Sequence, residues 1–150
     1  MRANPLSILV FLCGAMLALI AIYAWRHRAT RGSKMFSIFV ISMTVYLTGY
    51  SLELASLDLT GMLFWSKVAY LGIFSFPSLF LLFALQYTGQ EQWLTRRNIL
   101  LIFLIPILLL IAKYSDDYFH LVYSSTWVDT SGLIPLLGFT RGPIYPFALY

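Results

Sequence analysis

The sequence predicts an all-α integral membrane protein with four complete transmembrane helices, the start of a fifth, and a short extracytoplasmic hairpin-like segment. Three observations carry this. Of 150 residues, 60% are hydrophobic and 11% are charged, against about 45–50% and about 25% in soluble domains. Such a chain lacks the polar side chains to cover a water-facing globule, and it is too apolar for a disordered tail, which needs low hydrophobicity and high charge. The apolar residues also gather in runs that approach the roughly 20 residues needed to cross a hydrocarbon core of about 30 Å. Finally, the charges lie between those runs. The net charge of +4 is therefore spread over connections and forms no single basic face, so no nucleic-acid partner is expected.

The first span covers residues 5–25 and carries no formal charge. It is not a signal peptide, because its apolar stretch exceeds the about 7–15 residues of a signal h-region and its basic flank follows it. Cys13, the single cysteine, can form neither an internal disulfide nor a cysteine-based metal site. It is expected as a small buried apolar side chain. Gly14 and Ala18 stand four apart and predict a small-residue face for close helix approach. The second span covers 35–53 and the third 66–87. The fourth, 98–114, is short, and Lys113 is expected to extend it by snorkelling. Helices are preferred to barrel strands because barrel strands alternate in polarity, whereas Leu100–Leu110 is apolar all round.

The connections set the orientation. The link from Arg26 to Lys34 holds four formal positive charges, and the next link on the same side holds Arg96 and Arg97. That side carries six Lys/Arg, against four (Arg2, Lys67, Lys113, Arg141) on the other. The positive-inside rule places the six in the cytoplasm and the N-terminus outside. Trp25 and Trp93 then fall at the cytoplasmic interface and Trp65 and Tyr114 at the outer one. The basic loop can also meet anionic head groups, at about 1 kcal/mol per basic residue.

After Tyr114 the chain changes character. Residues 115–142 hold acidic residues, glycines and aromatics. Strand formers around Phe119–Tyr123 and the turn signal Asp129-Thr130-Ser131-Gly132 predict a hairpin over about 121–128 and 133–139. Gly142-Pro143 then leads into what reads as a fifth helix from about 143. The chain stops about one turn into it, so an N-terminal piece of a longer protein is expected.

Several residues could carry function. Glu53 closes the second span and Lys67 stands before the uncharged run of the third, which begins at Val68, so the two could pair across the outer end. Alternatively Glu53 lines a ligand pocket with Tyr46, Tyr50, Trp65 and Tyr70, or is a plain interfacial carboxylate in contact with water. Pro77 and Pro106 lie inside spans three and four and release the carbonyls of Ile73 and Ile102 from helical hydrogen bonds. Each is a static kink or a hinge. His120, near Asp116 and Asp117, is a structural side chain or a candidate metal or pH-sensing site. No histidine lies within a span to hold a haem, no lysine lies within the uncharged run of a span for a retinal Schiff base, and no phosphate loop, catalytic triad or zinc motif occurs. No cofactor is expected, and this region has no catalytic motif.

The landmarks fall in a recognisable order. Tyr50-Ser51-Leu52-Glu53-Leu54-Ala55 closes span two. Phe64-Trp65-Ser66-Lys67-Val68-Ala69-Tyr70-Leu71-Gly72 and Pro77 follow, then Leu82-Phe83-Ala84-Leu85-Gln86-Tyr87-Thr88-Gly89, Trp93-Leu94, Pro106, His120-Leu121-Val122 and Gly142-Pro143-Ile144-Tyr145. Residues 5–150 resemble the N-terminal seven-transmembrane sensor region of microbial histidine kinases, an input module also found fused to PAS or diguanylate cyclase domains. The resemblance implies an incomplete N-terminal membrane sensor domain in the plasma membrane, with an extracytoplasmic N-terminus. It also implies a cytoplasmic signalling domain in the same chain, homodimerisation of the full-length protein, and an unknown small ligand or membrane stimulus. It supplies no agreed ligand-binding residues. A fragment of a secondary transporter is the competing reading, although the span midplanes lack charges and no repeat is seen. A ligand-free membrane scaffold is a third.

Overall fold

A computed structural model describes residues 4–27, 32–115, 123–129 and 136–141. It contains helices α1 (Pro5–Arg26), α2 (Ser33–Ala55), α3 (Leu59–Tyr87) and α4 (Arg96–Tyr114). All four are long and apolar enough to cross a membrane. A single 3-10 turn, Glu91–Trp93, lies between α3 and α4. Strands β1 (Tyr123–Asp129) and β2 (Leu136–Arg141) pair antiparallel, with Trp127 opposite Gly138. The expected hairpin thus forms over its described residues. Its turn, residues 28–31, His120 with its acidic neighbours, and the start of the fifth span lie outside the described residues.

Local capping sets the helix ends. Asn4 accepts from the Ser7 amide at 2.7 Å, and its own amide donates to the Ser7 hydroxyl, with Pro5 at the first helical position. The Asp58 carboxylate accepts from the Gly61 amide at 2.7 Å. That cap starts α3 at Leu59, well before the apolar run at 66. Lys67 therefore lies two turns inside a helix, not ahead of one. Thr95 caps α4 by accepting from the Asn98 amide at 3.3 Å. Gly32 begins α2 at φ +81°, a left-handed backbone open to glycine.

The helices stand in a row, each antiparallel to the one before, with α1 on α2, α2 on α3 and α3 on α4. Lipid offers no hydrophobic drive for helix association, so small residues and hydroxyls must supply it. Between α1 and α2, Ser33 donates to Ala24 O (2.6 Å), Ser37 to Ala21 O (2.7 Å), Ser51 to Ser7 O (2.8 Å) and the Asn4 amide group to Leu54 O (2.9 Å). Gly14 is buried, as predicted, with its Cβ direction facing Leu47 and Thr48. Ala18 is half-buried. Cys13 is not buried as expected. It is exposed on the outer side of α1, because its neighbour Gly14 takes the position facing α2.

Between α2 and α3 the backbones approach more closely still. A Cβ on Gly72 would meet the Ser42 carbonyl and lie 2.6 Å from the Tyr46 amide nitrogen, and one on Gly49 would lie 2.7 Å from the Ala69 nitrogen. Phe39 stacks among Phe76, Phe80 and Phe83, with ring centroids 5.1 to 6.3 Å apart. The outer faces of α1 and α4 are apolar and uncovered by neighbouring helices: Leu19, Leu100 and Ile105 are 68%, 70% and 67% exposed. In water such a surface would aggregate, and in a bilayer it meets lipid.

The carbonyl that Pro106 releases on α4 is satisfied from α3. Pro106 has no N–H to offer the Ile102 carbonyl, and Ser78, next to Pro77, donates to that carbonyl at 3.0 Å. Pro106 and Ser78 are both buried. Interhelical hydrogen bonds of this kind are worth about 0.6–1.7 kcal/mol in membrane proteins. Ser78→Ala should therefore lower thermal stability in detergent modestly. In a Pro106→Ala background the same change should cost almost nothing, because the restored backbone N–H at position 106 returns a helical donor to Ile102 O. Equal costs in both backgrounds would show that Ser78 does not compensate for Pro106.

Candidate functional site

One end of the row gathers Asn4, the end of α2, the start of α3, Tyr114 and the hairpin. On α2, Tyr46, Tyr50 and Glu53 recur at helical spacing and share one face. On α3, Ser66, Ala69, Tyr70 and Ile73 do the same. Together with Leu137 and Phe139 of β2 they line an open cavity of about 170 Å³. This volume is close to that of an engineered cavity of about 150 Å³ that holds benzene. The Tyr46 and Tyr50 rings lie nearly parallel, with centroids 6.1 Å apart. Ile73, whose carbonyl Pro77 releases, is part of the same wall.

Glu53 is half-buried at this cavity. The cation whose field acts on it is Lys113 of α4, in place of the expected Lys67. Lys113 does not snorkel as predicted. It is 2% exposed, and its ammonium lies 4.8 Å from the centre of the Tyr70 ring. A buried ammonium needs compensating partners, and the π face of Tyr70 together with the Glu53 carboxylate supplies attraction of that kind. An anion from α2, a ring from α3 and a cation from α4 thus converge at one place. Tyr114 strengthens the same junction by donating to the Lys67 carbonyl at 3.4 Å.

The residues singled out in the sequence divide accordingly. Tyr46, Tyr50, Glu53 and Tyr70 come together at the cavity. Trp65 does not line it; its ring packs edge-on against Phe64 at 5.1 Å. Lys67 contributes a backbone carbonyl to the α3–α4 contact. His120 lies outside the described residues. The structure adds Ser66, Leu137 and Phe139 to the lining, and Lys113 beside Tyr70. Of these only Lys113 had a signal, as a lone cation closing an apolar run. Aromatic walls with few polar groups suit a small organic ligand. Among the described residues no group of three or more His, Cys, Asp or Glu side chains could hold a metal ion.

The opposite end of the row carries Arg26, Lys34, Arg96 and Arg97, all exposed, with Trp93 beside them at 59% exposure. Comparison with curated proteins and with solved structures finds no match. The family model described as the N-terminal 7TM region of histidine kinase matches residues 9–150, which is all but the first eight residues and includes all of α2, α3 and α4, the cavity they form, and the hairpin. On that match, the chain belongs to the family of N-terminal seven-transmembrane regions of histidine kinases.

Proposed function

We propose that this region is the signal-input module of a sensor histidine kinase. Its recognition element is the cavity around Glu53, and its output is a shift of α4 against α3 passed to a cytoplasmic catalytic domain. The observation that carries this reading is that Glu53 and Tyr70, from successive helices, line one cavity, and that Lys113 of the next helix acts on both from beside it. A small ligand that engages Glu53 or covers Tyr70 competes with Lys113 for the same partners. Lys113 sits at the end of α4, so losing its partners alters the seating of that helix. Further along, the Ser78–Ile102 hydrogen bond beside Pro106 forms the next α3–α4 junction. A ligand with different affinities for the two seatings shifts their populations, which is all that signalling requires. Dimerisation of the kinase is part of the same proposal.

The test uses the kinase that carries this region, reconstituted in vesicles, with autophosphorylation as readout. Allosteric couplings of about 1–3 kcal/mol correspond to about 5- to 150-fold changes. Tyr50→Phe and Phe139→Ala alter the cavity without removing a charge, and each should change autophosphorylation about fivefold or more. Trp65→Phe lies outside the cavity and should leave it unchanged. Wild-type activity in both cavity variants would refute the cavity as the recognition element.

The lysine and arginine distribution supports an extracytoplasmic N-terminus and an extracytoplasmic cavity. Single cysteines in a Cys13→Ser background provide the measurement. Ser56 is unsuitable because it is 2% exposed and donates to Leu52 O, whereas Leu57 is 51% exposed. In intact cells, Leu57→Cys and Ser125→Cys should react with a membrane-impermeant thiol reagent and Gln90→Cys should not. The reverse pattern would invert the orientation.

A further inference from the structure

We propose that the groove between α1 and α2, at the basic end of the row, is a binding site for an anionic phospholipid. One acyl chain lies in the groove, and the phosphate is held by Arg26 and Lys34. The site is at the opposite end of the bundle from the Glu53 cavity and does not depend on the reading of that cavity.

The groove has a volume of about 390 Å³, more than twice that of the Glu53 cavity. Ala18, Ala21 and Ser37 form its floor, and Ile22, Trp25, Ile41 and Thr44 form its walls. Its two hydroxyls face inward to the protein. Ser37 donates to Ala21 O at 2.7 Å and Thr44 donates to Val40 O at 3.0 Å. Neither offers its proton to an occupant, so along its length the groove presents an apolar surface to whatever fills it. A hydrated ligand gains nothing there, whereas an alkyl chain does.

The dimensions and charge fit one kind of occupant. From Thr44 to Lys34 is ten residues of α2, about 15 Å at 1.5 Å per residue. That is about one leaflet of a hydrocarbon core of roughly 30 Å. Lys34 stands three residues before Ser37 and seven before Ile41, so it caps the same helix face that lines the groove. Arg26 lines the mouth directly from the last turn of α1. Its planar guanidinium suits bidentate contact with phosphate. Trp25 places an indole at the same level, the usual position of such a ring at a membrane interface. Among the described residues no carboxylate lines the groove. The segment from Arg26 to Lys34 holds four formal positive charges and no negative one. Apolar depth ending in unopposed positive charge is the complement of an acyl chain ending in a phosphate.

The experiment uses the full chain purified in a maltoside detergent, with phosphatidylglycerol or phosphatidylcholine of identical acyl chains added in mixed micelles. Native mass spectrometry reads bound lipid, and thermal melting reads the stabilisation that binding must bring. Phosphatidylglycerol should be retained as a one-to-one complex and raise Tm, and phosphatidylcholine should do so markedly less. Arg26→Gln should weaken phosphatidylglycerol retention about fivefold, given the known worth of one basic residue at an anionic surface. Ala18→Leu fills the groove from its half-buried floor, keeps every charge, and should abolish the one-to-one complex. Equal retention of the two lipids would overturn the proposal, as would undiminished binding in Ala18→Leu, which would mean that the basic loop alone attracts the head group. A lipid-free dimer lost on Ala18→Leu would also overturn it, by assigning the groove to a second copy of the chain.

Discussion

Gly72→Leu is expected to cost the folded bundle about 3 kcal/mol or more, at the upper end of the usual range for overpacking. A side chain at this position points into the backbone of α2: its Cβ would meet the Ser42 carbonyl and lie 2.6 Å from the Tyr46 nitrogen and 2.8 Å from Tyr46 Cβ. Backbone cannot swing aside as a side chain can, so the helices must separate. Tyr46 also walls the Glu53 cavity, so the loss of close approach spoils the site as well as the fold. Gly14 provides the internal comparison, because its Cβ would lie 3.4 Å from Leu47 Cβ, an ordinary contact. Gly14→Ala should be nearly neutral, Gly14→Leu moderately destabilising, and Gly72→Leu the most damaging of the three. Melting of the detergent-solubilised protein, followed by circular dichroism and size-exclusion chromatography, checks this order. A native melt for Gly72→Leu would mean that α2 and α3 do not approach as the glycines indicate.

Glu53→Gln should be the second large effect, and its signature is rescue. Glu53→Gln removes a negative charge whose field acts on Lys113, and a buried ammonium that loses a compensating charge is destabilised. Lys113 is 2% exposed and has few ways to find water. Glu53→Gln and Lys113→Met should each lower stability, and the double variant should recover much of the loss. Lys67→Met should not rescue Glu53→Gln, because the field at Glu53 comes from Lys113. In the kinase, each single variant should also displace autophosphorylation from its wild-type level, and the double variant should respond less to added stimulus than the wild type. Strictly additive stabilities would break the link between α2 and α4 and with it the proposed route of the signal.

The bilayer explains why so much of this architecture was readable from residues alone. A lipid-facing helix must satisfy its backbone internally and be apolar over a fixed length, so composition and run length specify four helices without any knowledge of their neighbours. Pro106, Gly14, Glu53 and the tyrosines of α2 were likewise identifiable, because their chemistry at membrane depth is unusual wherever they point. Partners were not identifiable. An apolar run carries no phase, so nothing in α4 told that Lys113 turns inward to Tyr70 and does not reach out to water. Asp58 moved the start of α3 back to Leu59 through a local cap, and so carried Lys67 into the helix. Trp65 missed the cavity because one residue on a helix is a rotation of about 100°. Leu137 and Phe139 reach the cavity from a hairpin far along the chain. Polarity and spacing report how each segment relates to solvent and lipid. Which segment meets which depends on close approach at Gly49 and Gly72 and on hydroxyls such as Ser78, and these contacts exist only once the helices are packed.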